Sequence, residues 1–392
     1  MSSSVHLFLL IAIGNLVTAF VGAQNTSSAT SLPISHPPGL FSKVDISSPA
    51  PTDERVDQPT KNFEQLWELT KAHYCNFDLL PINWDSLYYR YRKQLSDSTT
   101  NEELFEICGN LLKELDDRHV SIYRKGNFHP SKVQCAQEGR FLSEYQTMED
   151  IFLFHSVTDS LLQSEGFSSI DTLISDRNGL GINVGRAASD SFVYLQINGF
   201  GASNRKIKHI MKATIEALQS RNGLIIDLRL NGGGLENKAF LFASFLAKRQ
   251  QTALYKHNRI PYSDRYTAIE KMTIDPIKGL KYTGRVVILT SDFTVSAAGV
   301  FVLALSRVEN VTIIGDRTAG FFSDYSTFKL PNGWKFTLST QKYYSPEMKN
   351  YERVGIPPDY LILNTLESTR NGKDPVLMKA LEVLQQKRDF KN

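Results

Sequence analysis

Hydrophobic positions over the first part of the chain recur at helical spacing. Phe63, Leu66, Trp67 and Leu69 share one stripe, and Trp84, Leu87, Tyr88 and Tyr91 share another. Leu104, Ile107, Leu111, Leu112 and Leu115 form a third, with Thr100-Asn101 ahead of Glu103 as its N-terminal cap. Aromatic stripes of this kind are ordinarily core, and they predict a small helical unit. Residues 124–185 are less regular, apart from one amphipathic stretch over Ile151–Leu162, and no repeat is visible. From Phe192 the apolar runs FVYLQI, GLIIDLRL, RVVILT and VTIIG alternate with helical patterns over Arg205–Ser220, Glu236–Lys248 and Ser296–Ser306. Near-continuous apolar strands separated by helices predict a mainly parallel sheet covered on both faces. After Gly320 the pattern becomes a hairpin, YSTFKL and WKFTLST, turning at Pro331-Asn332-Gly333.

The amino terminus changes the picture of the compartment. Leu7 to Ala23 is apolar except for Asn15 and Thr18, ends in small residues, and is followed by the polar QNTSSATS. The block is short for a membrane span and predicts a cleaved secretory signal over 1–23, although no Lys or Arg precedes it. The expectation is a secreted or extracytoplasmic protein with no stable span after cleavage. Residues 24–60, rich in Ser, Thr and Pro, read as a flexible leader. The expected order is then a helical domain over 61–125, an irregular connection over 126–190 and an α/β domain over 191–392. Asn25-Thr26-Ser27 and Asn310-Val311-Thr312 fit the N-glycosylation pattern, the second within an expected buried strand.

Composition excludes more than it identifies. The 392 residues are 41% hydrophobic and 22% charged, which argues against wholesale disorder. A net charge of +3 is too even for a nucleic-acid binder. Three cysteines exclude a disulfide-stapled scaffold; Cys75–Cys108 and Cys108–Cys135 are the two pairings considered. No HExxH or clustered ligand set suggests a metal, and no cofactor is expected.

Two places have the makings of chemistry. Asn231-Gly232-Gly233-Gly234 follows a buried strand and precedes a helix. Consecutive glycines weaken both neighbours unless the backbone must approach a ligand and present free N–H groups. Without a Gly-Lys-Ser/Thr or GxGxxG pattern, an oxyanion hole or a plain turn remains. Ser296 follows the strand RVVILT and opens the apolar helix in Thr294-Val295-Ser296-Ala297-Ala298-Gly299. It is either a cap or a nucleophile set at the positive end of a helix. A nucleophilic serine needs a base, and His119 in Leu115-Asp116-Asp117-Arg118-His119 stands just past the third helical stripe.

The blocks FEQLW…INWDSLYYRY, LDDRHVSIY, YLQINGF, GLIIDLRLNGGG, VVILTSDFTVSAAGVFVLAL, IIGDRTAG, LPNGW and YERVGIPPD occur in an order that resembles one serine peptidase family. It comprises the tail-specific (C-terminal processing) proteases, the tricorn core and interphotoreceptor retinoid-binding protein. The resemblance covers Asn62 to Asp359. It implies an α/β protein with a ClpP/crotonase-like catalytic domain behind a small N-terminal helical domain. It also implies that Ser296 is the nucleophile, with oxyanion donors at Ala297 and Gly233, or at Gly232 or Gly234 in another register. Tail-specific proteases use a lysine straight after GxxTxG; here Phe321 follows Gly315–Gly320, and a phenyl ring takes no proton. The tricorn-like branch uses a histidine of the helical domain with a glutamate, which map to His119 and Glu352. No segment between Tyr123 and Phe192 reads as the PDZ domain of the tail-specific branch. Tricorn's auxiliary serine directly precedes its histidine, and Arg118 stands there in this chain. The family often carries a glutamate where this chain has Gly299. The expectation is a serine-type peptidase acting on peptides or proteins. The alternative on the same fold is a non-catalytic binder of retinoids or lipids, with Phe321-Phe322 as its apolar wall. Oligomeric state is not legible.

Overall fold

The computed structural model describes residues 58–124, 139–174 and 184–386. The apolar block over 7–23, the leader, Asn25 and Cys135 lie outside the described residues. Three helices come first, α1 (Pro59–His73), α2 (Trp84–Arg92) and α3 (Asn101–Lys113), followed by the short strand β1 (Ser121–Tyr123). Helix α3 begins at a reciprocal cap: Glu103 N–H donates to Thr100 Oγ1 at 3.2 Å, and Thr100 N–H donates to Glu103 Oε2 at 2.9 Å. Next come α4 (Arg140–Glu144), α5 (Met148–Ser164), β2 (Asp171–Ile174), β3 (Val184–Ala188) and β4 (Phe192–Ile197). The alternating part continues with α6 (Asn204–Leu218), β5 (Gly223–Asp227), α7 (Glu236–Ser244), β6 (Gln251–Asn258) and β7 (Glu270–Ile274). It ends with β8 (Arg285–Thr290), α8 (Ala297–Leu305) and β9 (Val311–Gly315). Strands β10 (Tyr325–Lys329), β11 (Lys335–Ser339), β12 (Gln341–Tyr344) and β13 (Tyr360–Leu361) precede α9 (Leu366–Arg370) and α10 (Pro375–Gln385).

The result is a mixed α/β fold around a seven-stranded sheet of order β13-β9-β8-β5-β4-β3-β2. Pairing is parallel from β13 to β4 and antiparallel at β3 and β2. The central strands read as unbroken apolar runs because both faces are covered. Val193, Leu195, Leu224, Ile226, Val286 and Ile288 join one core with α6, α7 and α8. Tyr194, Ile225, Val287 and Leu289 point the other way, into a core closed by α10. Strands β2 and β3 come from the stretch that reads as irregular, so the sheet begins before residue 191. Their short, partly exposed runs carry little period-two signal.

Helices α1 to α3 do not close a core by themselves. Phe63, Leu66, Leu104, Leu111 and Leu112 pack against Leu330, Trp334, Phe336 and Leu338 of the β10–β11 hairpin. Strand β1 pairs with β11, giving the three-stranded sheet β1-β11-β10. A second small sheet, β12-β6-β7, stands apart from the sequence expectation, since it joins segments some ninety residues apart. Cys75 and Cys108 are buried free thiols, so the Cys75–Cys108 bridge is not formed. The Asn310 side chain is buried, and its amide donates to the Gly284 carbonyl. Among the described residues no helix is long and apolar enough to cross a membrane.

Candidate active site

The carboxyl ends of β5 and β8 lie side by side in the sheet, which brings the two loops that follow them together. After β5, the fully buried Arg229 is held by Asp227 at 2.6 Å and by Asp374, the N-cap of α10, at 2.7 Å. Two carboxylates against one guanidinium give the next residues a rigid footing. Ser291 Oγ donates to Arg229 O at 2.6 Å, and Thr294 Oγ1 donates to Leu228 O at 2.9 Å, tying the β8 loop to the β5 loop. Val295 N–H completes the link by donating to Asn231 O at 3.2 Å.

Ser296 stands at the head of α8 with φ 59° and ψ −127°. A residue with a Cβ pays on the order of 1–3 kcal/mol for such a backbone, and it persists only where the surroundings impose it. Here they do: Ser296 N–H donates to Phe321 O at 2.8 Å, and Gly233 presses on the serine from the other side. A Cβ at Gly233 would lie 2.6 Å from Ser296 Cβ and 2.9 Å from Val295 O, at a φ of 96°. Only glycine allows this approach. Of the expected oxyanion donors, the Ala297 N–H makes no hydrogen bond among the described residues. The Gly233 N–H is engaged, because the side chain of the buried Asn231 folds back and accepts it at 2.8 Å. The neighbouring Gly232 and Gly234 N–H groups form no hydrogen bond among the described residues. The free N–H groups beside Ser296 are thus those of Ala297, Gly232 and Gly234, while that of Gly233 is taken.

His119 lies in the turn between α3 and β1. Its carbonyl accepts from Thr337 Oγ1 at 2.6 Å, and its ring stacks on Tyr325 of β10 at 5.9 Å between centroids. The imidazole is largely buried, and burial lowers its pKa while Asp117 and Asp324 oppose that shift. Its Nδ1 lies 3.8 Å from Asp117 Oδ1. Glu352 makes no hydrogen bond or ion pair with His119 among the described residues. Its Oε2 accepts the Phe322 N–H at 3.0 Å, and its Oε1 is buried without a partner. Burial and the nearby Asp117 push the Glu352 pKa up to about 8.

One segment, residues 318–322, runs through the middle of these groups. On one side it meets the serine turn, where Ala319 N–H donates to Thr294 O at 2.9 Å. On the other it meets residues 353–356 backbone to backbone: Arg353 N–H donates to Gly320 O at 2.5 Å, and a Cβ on Gly320 would sit 2.6 Å from Gly355 N. Arg353 then reaches the histidine loop, donating to Asp116 O and Asp116 Oδ2, both at 2.7 Å. Arg118, next to His119, lies over the Phe321 ring at 5.4 Å. Residues 318–322 thus touch the Ser296 turn and Glu352 directly and reach the turn that carries His119 through Arg118 and Arg353. No hydrogen bond joins His119 to Ser296 Oγ among the described residues.

With this geometry in view, the comparisons with known proteins are specific. Residues 191–362 match peptidase family S41, and residues 56–113 match the tricorn protease C1 domain. The chain carries a peptidase family S41 domain and a tricorn C1 domain. It is accordingly a serine-type peptidase. The carboxyl-terminal-processing protease of Picosynechococcus sp. is 28% identical over 351 residues, covering 76% of this chain and 82% of that one. The tricorn protease of Thermoplasma volcanium is 27% identical over 388 residues, covering 82% of this chain but 36% of tricorn. A crystal structure from Parabacteroides merdae, described as a peptidase, superposes with a TM-score of 0.69 at 25% identity, covering 84% of this chain and 98% of that one.

Two features of this peptidase have local physical reasons. Gly299 lies beneath Phe322, whose ring carbon would be 2.8 Å from a Cβ there, so a glutamate at that position would collide. Phe321 serves as a platform for the Arg118 guanidinium, an arrangement worth about 0.5–2 kcal/mol. Sequence reasoning missed Asp117, Tyr325 and Arg353. Asp117 did carry a signal: an aspartate two residues before a backbone N–H is Asx-turn spacing, and His119 N–H donates to its Oδ1 at 2.8 Å.

Proposed function

We propose that this S41 peptidase cleaves peptide bonds with Ser296 as nucleophile and His119 as general base, on a ClpP/crotonase-like domain, after export from the cytoplasm. The domain reading is a helical unit over 61–125 that supplies the base and an α/β unit over 191–392 that supplies the nucleophile. Ser296 Oγ attacks the substrate carbonyl carbon as His119 Nε2 accepts its proton. The oxyanion is received by the Ala297 N–H and by the N–H of Gly232 or Gly234, at the positive end of α8. His119 then returns the proton to the departing amine as the C–N bond breaks, and water releases the acyl group by the same steps in reverse order.

The observation that carries this reading is the backbone at Ser296, held at positive φ between the Phe321 carbonyl and Gly233, beside an unengaged Ala297 N–H. A cap would need none of this, and Ser296 makes no side-chain capping bond. In unliganded sites a catalytic hydrogen bond is often long and tightens when substrate closes the site. Ser296→Ala is expected to lower cleavage of an unfolded test protein by about 10⁴–10⁶-fold with unchanged circular dichroism. Cleavage retained in that variant rules the assignment out.

A further inference from the structure

The carboxylate that sits next to the imidazole belongs to Asp117. It is fully buried in the turn that carries His119. Its Oδ1 accepts the His119 N–H at 2.8 Å, and its Oδ2 accepts the Tyr74 hydroxyl at 3.1 Å. Both bonds fix the carboxylate, and both come from neutral groups. The same Oδ1 lies 3.8 Å from His119 Nδ1, a buried nitrogen with no hydrogen-bond partner. Among the described residues no Lys or Arg pairs with Asp117, whereas its neighbour Asp116 is taken by Arg353.

We propose that Asp117 is the positioning residue of this site, orienting the His119 imidazole and stabilising its cation, and that Glu352 does not fill that role. The proposal rests on reading His119 as the base. The Asp117 carboxylate is buried without a cation until His119 accepts the Ser296 proton. Its attraction is therefore realised as the transition state forms, and that is the interaction that accelerates a reaction. Engaging Nδ1 would leave Nε2 free to accept the serine proton. Glu352 is close enough to Asp117 to feel its charge and is bonded to the Phe322 N–H, not to the imidazole. Its raised pKa, to about 8, keeps it mainly neutral near pH 7, which leaves Asp117 and Asp324 as the carboxylates that favour the imidazolium. The groups facing the imidazole are Asp117 and Arg118 on its own turn, and Asp324 and Tyr325 from the β10 side. Tyr74 is bonded to Asp117, whose charge Glu352 feels.

The test follows the His119 imidazole by NMR in the isotope-labelled protein, with its signal assigned by loss in His119→Gln. The same samples are assayed for kcat and KM against pH on an unfolded protein substrate. Removing a negative charge disfavours the imidazolium, so Asp117→Asn should lower the His119 pKa and move the acid limb of kcat/KM to lower pH. It should also lower kcat by about 10²–10⁴-fold with KM nearly constant. Glu352→Gln should leave the imidazole titration in place. An unmoved titration in Asp117→Asn, or an equal movement in Glu352→Gln, overturns the proposal. Should Asp117→Asn fail to fold, Tyr74→Phe serves instead: a carboxylate relieved of that hydroxyl is more basic and should raise the His119 pKa, and no change contradicts the proposal. The titration needs no turnover. An inactive wild-type protein would thus defeat the peptidase reading while Asp117 was still tested.

Discussion

Glu352 sits in an environment far from that of an ordinary carboxylate. Its carboxyl is buried, one oxygen lacks a partner, and its pKa rises from 4.5 to about 8. A carboxyl whose folded pKa exceeds its unfolded one holds its proton longer in the native state. Its contribution to stability is fully present below pH 4.5 and is lost as pH rises through about 8. The loss runs at about 1.4 kcal/mol per pH unit between those values. Glu352→Gln removes this dependence. Urea unfolding should show the variant gaining on the wild type by a few kcal/mol between pH 5 and pH 8, on the order of the linkage slope. Parallel stability profiles would show that Glu352 is ionised in the folded protein. At this scale Ser296 and the glycine turn stand out as candidates because strand-to-helix junctions and glycine runs leave local traces, whereas His119 stands out only through the family resemblance. The partner of His119 is less legible. Asp117 and Glu352 are both acids near family motifs, and choosing between them requires knowing that Glu352 is committed to the Phe322 N–H.

Among the elements, the alternating strands and helices of the main sheet were legible for the reason that they form: strands buried on both faces read as apolar runs, and amphipathic helices read at their own period. Strand β4, β8 and β9 boundaries agree with the runs FVYLQI, RVVILT and VTIIG. The β12-β6-β7 sheet was not legible, because β6 mixes Lys256, His257 and Asn258 into its run and pairs with strands distant in sequence. Elements also decide how the proposed base is delivered. The histidine turn belongs to the helical part, and Arg353 clamps it through two bonds to Asp116, with both side chains about a quarter exposed. Loss of a partly exposed charged pair costs little stability, about 1–2 kcal/mol, yet a catalytic group displaced by about 1 Å can lose 10²-fold in rate. Arg353→Ala should therefore lower kcat/KM by about 10–10²-fold with only a small fall in the urea midpoint. Wild-type activity in this variant would mean that the turn is held without the clamp.

For the molecule as a whole, the helical part shares its core with the β10–β11 hairpin. The hairpin that follows the sheet in sequence returns to fill the interior of α1 to α3, with Trp334 and Phe336 both buried. Sequence patterns separate these parts, since each has its own period, and they cannot show that a late hairpin completes an early helical unit. The proposed nucleophile and base thus come from different parts of the chain, and the turn of the proposed base is held by this hairpin. The measurement that bears most directly on this pairing is labelling by a serine-reactive fluorophosphonate, mapped by mass spectrometry in the wild-type protein and in His119→Gln. Label confined to Ser296 and slowed by about 10³-fold in the histidine variant is the predicted result. Absence of label at Ser296, or labelling at an undiminished rate without His119, would contradict it.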